Sequence, residues 1–178
     1  PTDTVFGICA RINSQIAYNK LLEVKRRPFN KAFPVMCANK EQIKTIAIVD
    51  EIAEKLIKAF MPGPITLVLK KNSTLPEYIT NGKDTIAVRM ATSKEIEKSC
   101  PLLDGMMEGK VAYSMGSTIV DCTSKKIKIL REGPISFELI KKVIDEMWVT
   151  NYKLSINTYI NIEKNILKKK KFKEVKKW

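Results

Sequence analysis

Val5, Phe6, Ile8 and Cys9 sit in a loosely alternating run from Thr4 to Ala10 behind a Pro-Thr-Asp turn, and this run predicts a strand. Ser14 then offers an N-cap to an amphipathic helix whose apolar positions are Ile16, Ala17, Leu21 and Val24. Pro28 ends that helix near Arg27, because the residue before a proline is pushed out of helical backbone. The short apolar run Phe33 to Met36 predicts a second strand. Two helical patterns follow, the clearer placing Ile52, Ala53, Leu56, Ile57 and Phe60 on one face before Pro62 and Gly63 stop it. Ile65 to Leu69 and Thr85 to Met90 are β-branched-rich runs of strand length, separated by a polar loop containing Pro76 and Gly82. Alternation in the second puts Thr85, Ala87 and Arg89 on one face and Ile86, Val88 and Met90 on the other. A short charged helix is predicted for Lys94 to Ser99. Ser117 to Cys122 and Lys126 to Leu130, joined by a Thr-Ser-Lys turn, read as a hairpin. Ser136 caps the last helix, with Leu139, Ile140, Val143, Ile144 and Met147 toward the core and Glu138, Lys141, Lys142 and Asp145 toward solvent.

Helices interleaved with strands over 178 residues, at 44% hydrophobic and 7% aromatic content, describe about one α/β or α+β domain with a sizeable core. That domain is expected to span residues 1–148. The remainder, 149–178, is too short and too lysine-rich for a second folded domain. Residues 163–178 carry +6 of the total charge of +13 and read as a solvated, frayed end, with an RNA-binding arm as the alternative. The net charge favours anionic partners: nucleotides, RNA or phosphate-rich surfaces.

The absence of histidine excludes a Ser-His-Asp or Cys-His triad, a histidine-ligated metal and a histidine general base. Cys9, Cys37, Cys100 and Cys122 form no C-x-x-C pair, which argues for buried, reduced thiols in a cytosolic protein rather than a zinc or redox motif. No stretch approaches the about 18 apolar residues of a membrane span, and the opening residues do not resemble a signal peptide. The expected compartment is the cytoplasm, an organelle being left open because the chain starts at Pro1 rather than methionine. The seven glycines make neither G-x-G-x-x-G nor G-x-x-x-x-G-K-[ST]. A nucleotide site would therefore be built from other groups. One candidate is the cluster Lys25, Arg27 and Lys31 around Pro28, although cations at a helix C-terminus are also what the helix dipole favours. Arg131 falls at a strand end on the same predicted face as Ile127 and Ile129, where a cation needs a reason.

Six short motifs recur in order: PTDTVFG at Pro1–Gly7; Lys25-Arg26-Arg27-Pro28 with Lys31; Pro62-Gly63-Pro64-Ile65-Thr66; Ala87-Val88-Arg89; Ser117-Thr118-Ile119-Val120-Asp121; and Ile129-Leu130-Arg131-Glu132-Gly133. In this order and spacing, over most of residues 1–134, the chain resembles the YrdC-like threonylcarbamoyl-AMP synthase family. The resemblance implies an α/β fold with an open, twisted, mixed parallel and antiparallel sheet and flanking helices around a basic cavity. It also implies a reaction joining L-threonine, bicarbonate and ATP into threonylcarbamoyl-adenylate and pyrophosphate. Magnesium would enter bound through the ATP phosphates, with no protein metal site. The adenylate would pass to a tRNA threonylcarbamoyl transferase complex that modifies the adenosine beside the anticodon. Threonine's amine is the nucleophile in that chemistry, so a chain without histidine can serve it by positioning and electrostatics.

Residue by residue, the resemblance implies that Thr4 binds threonine. Lys25 and Arg27 match the catalytic K-x-R pair, which contacts the adenylate phosphates and the carbamoyl group. Lys31 matches the lysine of an R-P-x-x-K-P-L-P run and is expected on the threonine and bicarbonate side, with Ala32 in place of the usual proline. Ser117 and Arg131 are expected on the nucleotide side. Thr66 and Arg89 stand open between substrate contact and support of the cavity wall. Pro62, Gly63 and Pro64 are expected to end a helix and launch a strand, Asp3 to anchor a turn, and Gly7 to permit close backbone approach. Phe6 replaces a usual tyrosine.

The family's S-x-N motif, followed by S-G, has no counterpart. Cys100-Pro101-Leu102-Leu103 runs almost directly to Gly109-Lys110-Val111 and Gly116, and neither Ser99 nor Ser114 matches it. The strand that normally precedes PTDT is missing as well. A sequence lacking residues of the physical protein is the more economical reading; true deletion would leave a degenerate homologue serving as a partner subunit. A reading from another class is a non-catalytic RNA-binding module that engages tRNA or double-stranded RNA through its basic surface.

Overall fold

The computed structural model describes residues 2–28, 30–72, 75–90, 111–113 and 115–145. Its helices start where short polar side chains satisfy free backbone N–H groups. Ser14 Oγ accepts from Ala17 N at the head of α1 (Gln15–Lys25), Asn39 Oδ1 from Gln42 N at α2 (Lys40–Ile46), and Asp50 Oδ1 from Ala53 N at α3 (Glu51–Phe60). Ser136 does the same for Leu139 N beside α5 (Phe137–Asp145). A one-turn helix, α4 (Glu77–Thr80), occupies the polar loop after Pro76.

Five strands make one mixed sheet: β1 (Val35–Met36), β2 (Ile65–Lys70), β3 (Thr85–Arg89), β4 (Thr118–Asp121) and β5 (Lys128–Arg131), in the order β1-β3-β2-β4-β5. β1 is parallel to β3 and β2 to β4, whereas β2–β3 and β4–β5 are antiparallel. The expected mixed sheet and the β4–β5 hairpin are therefore present. One consequence of these directions matters for chemistry: the starts of β2 and β4 and the ends of β1, β3 and β5 all fall on the same edge of the sheet.

Alternation along the strands divides the two faces. Ile65, Leu67, Leu69, Ile86, Val88 and Val120 lie in the core with Ile43 of α2, Ala53, Leu56, Ile57 and Phe60 of α3, and Ile140 of α5. The predicted apolar face of α3 is thus the buried one, and Leu139, Val143 and Ile144 of α5 pack against the same core. Cys37 and Cys122 are also inside, and burial pushes both thiols up to about 12, with Asp50 and Asp121 adding to the effect at Cys122. These thiols remain protonated in the folded chain, while an unfolded thiol ionises near 9.0. Their stabilising contribution is therefore whole below about pH 9 and is lost as pH rises toward 12, at up to about 1.4 kcal/mol per pH unit for each. Urea unfolding of the wild type is expected to weaken more steeply between pH 9 and 11 than that of Cys37→Ala/Cys122→Ala. Equal slopes would show that the thiols are not the cause.

Three expectations are corrected. Residues 4–10 form no strand; Val5, Phe6 and Ile8 are 41%, 63% and 57% exposed, and among the described residues no strand pairs with this run. α1 buries Tyr18 and Leu21 and leaves Ile16 and Val24 at 75% and 65% exposure, because Tyr18 is the residue with partners. Its ring meets Tyr78 and Phe33, and its hydroxyl donates to Asn81 Oδ1 at 2.9 Å. Cys9 is exposed, not buried. The expected helix over Lys94–Ser99, Cys100, the S-x-N neighbourhood with Ser99 and Ser114, Met147, the boundary at 148 and the lysine-rich end lie outside the described residues.

Candidate active site

The sheet edge defined above gathers polar residues on the face away from the core. Thr66 alternates with Ile65 and Leu67, Arg89 follows Val88, and Ser117 precedes Thr118, so the pleat alone turns them outward from the helices. Thr66 Oγ1 and Ser117 Oγ share a buried hydrogen bond of 2.8 Å. Arg131 closes the group by donating from Nε and Nη2 to Ser117 O, at 3.0 and 2.8 Å, and from Nη2 to Ser117 Oγ at 3.2 Å. Three sequence-predicted site residues, Thr66, Ser117 and Arg131, thus form one hydrogen-bonded cluster.

Arg131 reaches this face through an irregularity that alternation does not foresee. Ile119 pairs with Arg131 but Val120 pairs with Ile129, so a bulge separates Arg131 from the face of Ile129. Ile127 and Ile129 pack toward the core while Arg131 points away from it. Two glycines make room. A Cβ on Gly116 would lie 2.8 Å from Arg131 Nη2, and one on Gly133 would lie 2.6 Å from Gly116 O and 2.7 Å from Ser117 C. Gly116→Ala meets only the end of a flexible side chain, so the fold is expected to keep its stability within about 1 kcal/mol. The guanidinium should leave Ser117, which a crystal structure of the variant would show; a guanidinium still bonded to Ser117 O would mean that Gly116 is not what makes room for it.

Arg89 has a different surrounding. It forms an ion pair with Asp3, Nη2 to Oδ1 at 2.6 Å, with 8% and 5% of the two side chains exposed. Burial lowers the Arg89 pKa, Asp3 opposes that, and the nearby Arg131 charge adds to the lowering. Asp3 is therefore a buried counter-ion and not merely the anchor of a turn. Its carbonyl also accepts from Ala112 N at 3.2 Å, which fastens the N-terminal segment over the sheet edge. Among the described residues Asp3 Oδ2 and Arg89 Nε have no hydrogen-bond partner. Beside them Thr4 is fully buried, its Oγ1 3.2 Å from Thr2 Oγ1. Gly7 shows no close approach, since a Cβ there would make only an ordinary contact at 3.6 Å.

Lys25, Arg27 and Lys31 form a second cluster at the C-terminus of α1. Arg26 adopts left-handed backbone at φ 45°, with Arg26 N bonded to Glu23 O and Arg27 N to Leu22 O. This turn reverses the chain and aims Arg27 at the following loop, where Nε donates to Lys31 O at 2.8 Å and Nη2 to Ala32 O at 3.0 Å. Lys25 and Lys31 are exposed and Arg27 is half-buried. The loop leads into β1, where Met36 pairs with Arg89. Among the described residues no hydrogen bond or ion pair joins this cluster to the sheet-edge group, and no cluster of three or more cysteines or carboxylates suited to a metal occurs.

The Sua5/YciO/YrdC family, described under telomere recombination, matches residues 1–104. The chain belongs to this family. A Methanocaldococcus jannaschii protein provisionally named threonylcarbamoyl-AMP synthase is 31% identical over 170 residues, covering 79% of this chain and 81% of its own. The Pyrococcus abyssi threonylcarbamoyl-AMP synthase is 33% identical over 83% of this chain, which spans only 53% of that relative. Proteins of that name are enzymes. The crystal structure of Pyrococcus abyssi Sua5 complexed with L-threonine matches with a TM-score of 0.70 at 31% identity, over 82% of this chain and 53% of that one. Escherichia coli YciO, at 19% identity and a TM-score of 0.64, shares the fold. Among the described residues no helix is long and apolar enough to cross a membrane.

Gly116, Gly133 and the Asp3–Arg89 pairing were not foreseen as parts of the site. Gly116 adjoins Ser117 and Gly133 lies two positions after Arg131, but the need for a missing side chain is visible only when strands β4 and β5 are brought together.

Proposed function

We propose that the chain carries out L-threonylcarbamoyladenylate synthesis: the amine of L-threonine adds to bicarbonate and water leaves, giving a carbamate, whose oxygen then attacks the α-phosphorus of ATP and displaces pyrophosphate. Carrying this reading is the match to Pyrococcus abyssi Sua5, whose crystal structure holds L-threonine, over 82% of this chain. Lys25, Arg27 and Lys31 would hold phosphate and carbamoyl oxygens by charge-assisted hydrogen bonds, and Ser117 and Arg131 the nucleotide. Thr4 would contact threonine. Magnesium enters with the ATP phosphates as part of the substrate. The product serves the transferase complex that modifies the tRNA adenosine beside the anticodon, a reaction of the cytoplasm.

Such a site works by alignment of reactants and stabilisation of developing charge on the phosphates, so loss of one cation is expected to cost about 100-fold in turnover. Pyrophosphate release from ATP should require both threonine and bicarbonate, give a product with the mass of threonylcarbamoyl-adenylate, and fall by that factor in Arg27→Ala and Arg131→Ala. Folded protein that releases none, yet binds RNA with a steep salt dependence little changed by either substitution, would point instead to an RNA-binding module or a partner subunit.

A further inference from the structure

Phe33 lies between two structural demands that the motifs do not mention. Its ring packs against that of Tyr18, centroids 5.7 Å apart at an interplanar angle of 79°. Tyr18 is itself buried and tied to Asn81, so this contact is rigid. Arg27 Cζ also stands over the ring at 5.0 Å from its centroid and Lys25 Nζ at 6.0 Å, the outer limit of a cation–π contact. Among the described residues neither cation has a carboxylate partner. Two of the five guanidinium N–H groups of Arg27 are committed to loop carbonyls, which fixes its plane and leaves three for a ligand. Two like charges drawn to one ring repel each other; the negative ring face offsets part of that repulsion without neutralising either charge.

We propose that Phe33 is a positioning residue, whose ring holds Arg27 and Lys25 together as one anion-binding face at the end of α1. The inference rests on the reading of these two cations as phosphate-binding groups. It assigns a role to a residue that stands where the R-P-x-x-K-P-L-P run has leucine, immediately after the position where Ala32 replaces proline. An aromatic anchor supplies here the rigidity that a proline-bearing loop has from its backbone.

Stepwise fluorination tests the ring electrostatics while nearly keeping its shape. The full chain would carry mono-, di- and trifluorinated phenylalanine at position 33, alongside Phe33→Leu, Phe33→Tyr and Arg27→Ala, with binding of ATP and inorganic pyrophosphate measured by calorimetry. Affinity should fall progressively with fluorine number, by roughly two- to fivefold in total. Phe33→Leu should match the trifluorinated protein and Phe33→Tyr the wild type, with melting temperature unchanged through the fluorinated series. In turnover assays kcat/KM for ATP should fall along the same fluorination series. A flat fluorination series beside a large loss in Arg27→Ala would overturn the inference and leave Phe33 as a space-filling residue. Unchanged binding in Arg27→Ala would overturn the phosphate-binding assignment and the positioning role with it.

Discussion

Gly133→Ala is expected to lower the stability of the fold by about 3 kcal/mol or more, the largest effect of a methyl addition among Gly7, Gly82, Gly116 and Gly133. The added Cβ would lie 2.6 Å from Gly116 O and 2.7 Å from Ser117 C, and closer still to Thr118 N. All three are backbone atoms, so no rotamer change relieves the overlap. Thr118 N is already bonded to Pro64 O at 2.9 Å, and Thr118 Oγ1 both donates to Ile135 O and accepts from Ile135 N, at 2.8 and 3.0 Å. Moving that backbone strains the β2–β4 ladder and the connection into α5 together. Other glycines serve as controls. Gly7→Ala should stay within about 0.5 kcal/mol. Gly82→Ala, with open space but a φ of +74°, should cost about 1–2 kcal/mol through backbone conformation alone. Urea denaturation of the three variants would show the order, and a Gly133→Ala midpoint equal to that of Gly7→Ala would mean that the close approach is not a constraint.

The sequence is most legible where the structural signal is local. α3 has a capping Asp50, a clean apolar face and the Pro62-Gly63 stop within fourteen residues, and its buried face is the expected one. The hairpin of β4 and β5 is similarly short-range. Legibility fails where a distant partner decides. The face of α1 follows Tyr18, whose hydroxyl finds Asn81 63 positions away, and aliphatic periodicity alone favours Ile16 and Val24 instead. The run at Thr4–Ala10 has strand composition but, among the described residues, no neighbouring strand to complete it. Alternation puts Arg131 at the right strand end but on the face of Ile129, whereas a bulge shifts the side-chain alternation by one residue and turns it to the other face. Arg89 illustrates the middle case. Its alternation with Val88 marks it as a cation against a buried sheet, so some counter-charge is required; that Asp3 supplies it, 86 positions earlier, is a fact of the fold.

Asp3→Ala is expected to cost about 3–5 kcal/mol, because it leaves Arg89 charged, 92% buried and without its counter-ion. The lowered pKa of Arg89 has burial as its chief cause and Asp3 as the main opposing influence, so removing Asp3 removes what holds the charge there. The proximity of Arg131 makes the uncompensated charge costlier still. Loss of the partner differs from loss of the pair. Asp3 Oδ2 and Arg89 Nε are already unsatisfied, so the ion pair recovers only part of its own desolvation. The double variant Asp3→Ala/Arg89→Met, with neither charge buried, should therefore be more stable than Asp3→Ala alone by about 2 kcal/mol or more. Denaturation of both single variants and the double closes the cycle, and additive costs would show that the two side chains do not depend on one another. The same cycle read in turnover separates two roles: if the double variant folds well but stays inactive, the buried pair also serves the site, by holding Thr4 and the N-terminal segment against the sheet edge.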